Sequence, residues 1–173
     1  YQAVPTINAS HNIHFTMRQA YDLNEWTLEF NVNMSELGKG LGELNNQALF
    51  GAWGSNGGEI YTRFGDAPIE GNRLQIKTQG TQMNSKMLFD AKKWYHIAFV
   101  CTGTKLYLYV NGVLDNSMSL PGNATNIASP INFGNTDYLR ADVKVSELRF
   151  WTKARTQAQV LNNMYACDPK SDG

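Results

Sequence analysis

The chain has 173 residues, and 15 Lys plus Arg balance 15 Asp plus Glu, so the formal net charge is zero. Charged residues are only 17% of the total, against about 25% in a typical globular domain. Non-specific nucleic-acid binding needs a basic excess to neutralise phosphates and is excluded. The length fits one domain spanning 1–173. No apolar run reaches the roughly 18 residues of a membrane-spanning helix, so no direct membrane insertion is expected. Two cysteines, Cys101 and Cys167, are too few for a disulfide scaffold. Cys101 ends an apolar strand pattern and reads as a buried free thiol.

Along the chain, short alternating segments are separated by Gly, Asn and Asp clusters. Trp26, Leu28, Phe30, Val32 and Met34 alternate with Thr27, Glu29, Asn31 and Asn33, the period of a half-buried strand. Segments 48–53, 59–64 and 73–79 read as further strands, with turns over 54–58 and 65–72. Trp94–Cys101 is apolar on both faces and predicts a central strand covered on both sides. Lys105–Val110 follows across Thr102-Gly103-Thr104 as a hairpin partner. Asn111-Gly112 then turns the chain into a returning strand over 113–116. Val143–Trp151 is the last long strand, and its apolar phase shifts between Val145 and Leu148, predicting a β-bulge at Ser146 and Glu147.

One segment reads as helix. Thr156 and Gln159 form a capping box, and Val160 with Met164 and Leu161 with Tyr165 share faces at i,i+4. The helix ends before Asp168-Pro169. About ten short strands and one late helix predict an all-β, two-sheet antiparallel jelly-roll sandwich with a short C-terminal helix.

The stretch Trp94-Tyr95-His96-Ile97-Ala98-Phe99-Val100, then Gly103, then Leu106-Tyr107-Leu108-Tyr109-Val110-Asn111-Gly112 resembles the central hairpin of laminin-G-like domains. These belong to the concanavalin A-like lectin and glucanase superfamily. Val145-Ser146-Glu147-Leu148-Arg149-Phe150-Trp151, followed by Ala154-Arg155-Thr156, is similar to that family's closing strand and terminal helix. The likeness anchors roughly residues 85–168. It rests on packing and turn positions, which speak to fold more than to function. Variants with a tail like Cys167-Asp168-Pro169 occur in secreted or surface-anchored bacterial proteins that handle glycans. The resemblance therefore implies an extracellular, cell-surface or periplasmic location and a longer parent chain with neighbouring domains. The start at Tyr1, without a leader pattern, fits either a cytosolic protein or a segment of an exported one.

Enzymatic members of the superfamily carry a Glu-x-Asp-x-x-Glu strand, whose alternation puts nucleophile and general acid on one face. This sequence has no such string. His11 and His14 are three apart, hence on opposite faces of a strand, and His96 occupies a position where the family hairpin commonly has histidine, which implies a structural role. No cofactor is expected. Some laminin-G-like domains hold Ca²⁺ at the sandwich rim, which makes Asp137 and Asp142 weak calcium candidates. Turn chemistry explains the same two residues.

Sugar binding needs an aromatic platform and planar hydrogen-bonding groups. The densest such cluster comprises Trp53, Asn56, Glu59, Tyr61, Arg63, Asp66, Asn72 and Arg73. Tyr61 and Arg63 share one strand face, opposite Ile60 and Phe64. Trp53 reads more readily as a core residue, and the Gly-rich segment from Ser35 to Asn46 could wall a groove. Tyr107 and Tyr109 form a second platform, expected to be covered by a sheet or the helix. The resulting expectation is a non-catalytic carbohydrate-binding module with a glycan partner, against an alternative structural spacer or protein-docking sandwich.

Overall fold

The computed structural model describes residues 6–7, 13–15, 21–35, 47–52, 60–66, 69–127, 131–133, 135–136, 139–140 and 143–165. Among them, strands numbered in chain order build two six-stranded antiparallel sheets. The first runs β1 (Thr6–Ile7), β16 (Val143–Trp151), β4 (Trp26–Met34), β9 (Trp94–Cys101), β10 (Lys105–Val110) and β11 (Val113–Ser119). The second runs β2 (Ile13–Phe15), β13 (Ile131–Phe133), β5 (Gln47–Ala52), β6 (Ile60–Asp66), β7 (Ile69–Thr78) and β8 (Thr81–Asn84). Two short pairs, β3 (Tyr21–Leu23) with β12 (Thr125–Ile127) and β14 (Asn135–Thr136) with β15 (Leu139–Arg140), complete the strands. One helix, α1 (Gln157–Asn163), follows them. The sandwich with one late helix is as the periodicity predicts.

Alternation explains the core. Trp26, Leu28, Phe30, Val32 and Met34 of β4 are fully buried and meet Ile97 and Phe99 of β9 on one side of the sandwich. Ile60, Phe64, Leu74 and Ile76 come from the second sheet into the same cluster. Each such side chain contributes about 1.5–3 kcal/mol on burial. Phe89, on the crossover between β8 and β9, sits between the sheets in edge contact with Phe64 and Tyr95.

The structure revises three details. The segment 65–72, expected as a turn, is mostly strand. The β6–β7 ladder runs on to Asp66 opposite Ile69 through an irregularity between Phe64 and Asp66. Glycine there permits a bulge instead of ending the ladder. Second, β9 is not covered along its whole length. Ala98 and Val100 are buried on the outer face, but Trp94, at the strand's start, is 46% exposed. Third, β11 continues to Ser119, three residues beyond the predicted return.

The predicted bulge is present. The β16–β4 register shifts between Ser146 and Arg149, and Glu147 has φ 54°. Before the bulge Val143 and Val145 face the core. After it Leu148 packs against the core, and Arg149 pairs in register with Glu29. The extra residue thus turns Arg149 and Trp151 onto the outer face. Cys101 is buried and free, its thiol pushed up by burial.

Helix α1 starts at the predicted capping box. Thr156 Oγ1 accepts from Gln159 N (3.2 Å), and Gln159 Oε1 accepts from Thr156 N (2.8 Å). Val160 packs on Ala98, Val100 and Tyr109 of the first sheet. The helix rests against the β10–β11 turn, where Asn111 (φ 51°) and Gly112 (φ 77°) link Val110 to Val113. Gln157 donates to the Gly112 carbonyl (3.0 Å). A Cβ at 112 would lie 2.5 Å from Leu161 Cδ1. Gly112→Ala therefore carries both a left-handed backbone penalty of about 1–2 kcal/mol and a displaced helix. Thermal unfolding should record a drop of about 2–4 °C per kcal/mol, and an unchanged melting temperature would show that the turn relaxes freely.

Candidate functional site

The outer face of the second sheet carries an ordered polar ladder across three strands. On β6, Ile60, Thr62 and Phe64 are buried, while Tyr61 and Arg63 point the other way, as alternation requires. Arg63 stands opposite Gln75, and Gln75 opposite Asn84. Arg63 Nε donates to Gln75 Oε1 (2.7 Å), and Gln75 Nε2 donates to Asn84 Oδ1 (3.0 Å). The Arg63 guanidinium also lies over the Tyr61 ring, 5.6 Å from its centroid. Lys77 is opposite Tyr61 on the adjacent strand β7. The guanidinium is thereby fixed before any ligand arrives, which lowers the entropy cost of binding.

The predicted cluster is partly assembled. Tyr61 and Arg63 share a face, with the Tyr61 ring largely buried at 7% exposure. Arg73 points to other work: its Nη1 donates to the carbonyls of Ser85 and Lys86 (2.9 Å each) and clamps the crossover segment. Asn72 is half-buried, and its carbonyl accepts from Phe89 N (2.9 Å). Asp66 lies in β6 opposite Ile69. Trp53, Asn56 and Glu59, the segment 36–46, and the calcium candidates Asp137 and Asp142 lie outside the described residues. No group of three or more potential metal-binding side chains occurs among the described residues. Sequence reasoning missed Gln75 and Asn84. Their polar positions alternate correctly on β7 and β8, but only the register reveals that they continue from Arg63.

The first sheet's outer face is different. Tyr109 is buried beneath Val160, with Tyr107 stacked beside it at 6.4 Å, so this pair is covered by the helix as expected. Beside them Glu29 is fully buried on β4. Its Oε1 accepts from Trp151 Nε1 (2.7 Å) and lies 3.7 Å from Arg149, and its Oε2 is 3.4 Å from His96 Nε2. Arg149 also donates to Glu147 (2.8 Å) and to the Asn163 carbonyl at the helix end (2.8 Å). Burial pushes the Glu29 carboxyl up, but His96, Trp151 and the Arg149 charge outweigh it and hold it below the ordinary carboxylate range. A general acid needs the opposite shift. Glu29 is suited to anchoring the helix-bearing face, not to proton donation.

Residues 8–161 match the sequence profile of a laminin G family within the concanavalin A-like lectin/glucanases superfamily. The chain belongs to that superfamily. Among solved structures, a Bacteroides ovatus protein proposed to bind carbohydrate is similar to this concanavalin A-like domain at 22% identity and TM-score 0.78. The match covers 97% of this chain but 48% of that one, so the domain spans about half its length. A heptameric pentraxin of the serum amyloid P type from Limulus polyphemus is similar at 14% identity and TM-score 0.68, over 98% and 81% of the two chains. The binding domain of botulinum neurotoxin serotype G gives 14%, 0.73, 92% and 42% for the same quantities. At these identities the likeness is one of fold. No curated protein sequence matches the domain.

Proposed function

We propose that this concanavalin A-like domain is a non-catalytic carbohydrate-binding accessory module of an exported glycan-processing protein, acting at the cell surface or outside the cell. The observation that carries the reading is the Arg63–Gln75–Asn84 ladder beside Tyr61 on the outer face of the second sheet. Gln75 is buried at 2% exposure and holds its two neighbours in place. The partly exposed Asn84 carboxamide offers donor and acceptor groups together, as neighbouring sugar hydroxyls do, and the Arg63 guanidinium adds directed donors. Superfamily membership and the carbohydrate-binding role proposed for the Bacteroides ovatus protein support the same ligand class. The neighbouring domains of the parent chain are its other partners. Among the described residues no helix is long and apolar enough to cross a membrane.

Affinity electrophoresis through gels containing plant and bacterial polysaccharides tests this reading. Retardation of the wild type should weaken about tenfold or more in Arg63→Ala, the equivalent of a charge-assisted hydrogen bond of about 1.5–3 kcal/mol. Circular dichroism and thermal unfolding of Arg63→Ala against the wild type serve as the folding control. A wild type that migrates freely in every gel would overturn the proposal.

A second reading, docking to a neighbouring domain, draws on a different region. Val113, Leu114, Leu161 and Tyr165 are 65%, 47%, 47% and 73% exposed at the helix and the adjoining turn. Exposed apolar side chains grouped at one end of a domain suit a protein contact. Loss of an interdomain contact in Tyr165→Ser, with glycan binding unchanged, would favour it.

A further inference from the structure

We propose that Trp94, Asn33 and Asn31 form a saccharide-binding site on the outer face of the first sheet, opposite the Arg63 ladder, for a neutral sugar unit. It takes its ligand class from the reading above but uses none of the same residues. Trp94 is the first residue of β9, 46% exposed on a face where Ala98 and Val100, further along the strand, are buried under α1. A central strand of a sandwich has every reason to bury so large a ring. Its exposure leaves a broad apolar surface available at the end the helix leaves open.

The register supplies the polar groups. Asn33 is directly opposite Trp94, and Asn31 is opposite His96. On the other side of β4, Lys144 is opposite Asn33 and Ser146 opposite Asn31. Directly opposed side chains on one face stand about 4.5–5.5 Å apart at Cβ, and diagonal ones about 7–8 Å. Asn31 and Asn33 are therefore within one sugar ring's span of the indole. Both are half-buried, with part of each side chain open to solvent. Among the described residues, no hydrogen bond engages their side-chain amides or the Trp94 indole N–H. Two carboxamides unused by the fold, beside an exposed indole, match what a pyranose needs: a ring for its C–H face and paired donors and acceptors for its hydroxyls.

The inner end of the patch is closed by His96, 2% exposed, against Glu29. A ligand can therefore lie across β4 and β9 but cannot extend under the helix. The register neighbours of Trp94 are polar, which disfavours a protein dock, where an aromatic anchor is ringed by contacts that exclude water. The carboxylate on the same sheet face, Glu29, is fully buried, and the exposed Asp90 beside the start of β9 is paired with Lys93 (2.6 Å), so nothing on the patch calls for a cationic ligand. Lys144, opposite Asn33, adds a positive charge on the β16 side, and Lys92 and Lys93 precede Trp94 on the other. A neutral hexose unit fits best.

Nitrogen–proton correlation spectra of the whole domain, titrated with cellohexaose, laminarihexaose, maltohexaose and mannohexaose, read the two faces separately. The Trp94 indole resonance is assigned from its loss in Trp94→Phe. The Gln75 and Asn84 side-chain amides report the other sheet. At least one hexasaccharide should shift the Trp94 resonance in a saturable way. Trp94→Ala, read on the Asn31 and Asn33 side-chain amides, and the surface double variant Asn31→Ala/Asn33→Ala, read on the Trp94 indole, should each weaken that binding at least tenfold, while Arg63→Ala leaves it unchanged. Should Trp94→Ala fail to fold, the asparagine variant carries the comparison alone. A Trp94 resonance unmoved at millimolar concentrations of all four sugars overturns the inference, whatever the Gln75 and Asn84 amides do. So does wild-type affinity in the asparagine variant. Self-association that Trp94→Ala abolishes, without any sugar-induced shift, would assign the patch to a protein contact instead.

Discussion

Phe89→Ala should cost about 3–5 kcal/mol of stability, at the upper end for a large-to-small core substitution. For a domain of this size, that is a fall in melting temperature of roughly 6–20 °C. Phe89 is fully buried, 5.1 Å from the Phe64 ring and 4.8 Å from that of Tyr95, both edge-on. One ring belongs to each sheet, so Phe89 is the peg between the layers. The cost of removing it depends on how far the surroundings can collapse into the cavity. Here they are held open. The Phe89 amide is bonded to Asn72 (2.9 Å), and Tyr95 Oη accepts from Asp90 N (3.0 Å). Asp115 accepts from the amides of Lys86 and Met87 (2.8 Å each), and Ser85 Oγ accepts from Leu74 N (3.0 Å). A crossover pinned at five of the six residues from Ser85 to Asp90 cannot follow the missing ring inward. Phe89→Leu, which refills most of the volume but loses the two edge contacts, should recover part of the loss. Denaturant unfolding of the three proteins measures it, and a Phe89→Ala cost below about 1.5 kcal/mol would show that the crossover is softer than its hydrogen bonds imply.

Phe89 also illustrates what the sequence makes legible. Nothing periodic surrounds it, and a single aromatic in a connecting segment reads as easily as surface. The long strands were readable because nine residues of β4 and nine of β16 carry enough alternation to fix a face. The phase slip at Ser146 and Glu147 was readable for the same reason. Two- and three-residue strands such as β1 and β2 cannot display a period, and they form because the neighbouring sheet offers an edge. The segment 65–72 carries turn-forming residues, yet its pairing with itself through a bulge kept it in the ladder. At the site, the Tyr61–Arg63 face followed from alternation within one strand. Gln75 and Asn84 joined it only through register. Trp94 departs from the pattern because an apolar strand predicts cover on both faces, whereas α1 spans only part of the outer one. Glu29 and Trp151 lie 122 residues apart, and no local pattern announces such a pair.

Glu29→Ala should be as damaging as the core substitution, at about 3–5 kcal/mol, because it removes one member of a buried charged network and strands the rest. The Trp151 indole N–H loses its acceptor, and Arg149 loses one of the two carboxylates flanking it. Glu29→Gln keeps the shape and an acceptor for Trp151 but not the charge, so it isolates the ionic part. A double-mutant cycle with Arg149→Met should return a coupling of about 0.5–3 kcal/mol for residues in direct contact. A coupling near zero would mean that the Arg149 contact at 3.7 Å is incidental. The dependence on pH has a definite sign. Interactions in the folded state hold the Glu29 carboxyl below its ordinary range, so the folded state favours the anion more than the unfolded chain does. Its stabilisation is fully present above the unfolded glutamate value of about 4.3. It is lost as pH falls from there through the lower folded value. The gap in melting temperature between wild type and Glu29→Gln should therefore be constant near neutrality and shrink below about pH 4.3. A gap that widens on acidification would mean that burial dominates and the carboxyl is protonated in the folded state. Because Arg149 also donates to the Asn163 carbonyl at the end of α1, acid should loosen the helix before the core. Tyr109, buried beneath Val160, would report that step as a change in ring environment preceding global unfolding.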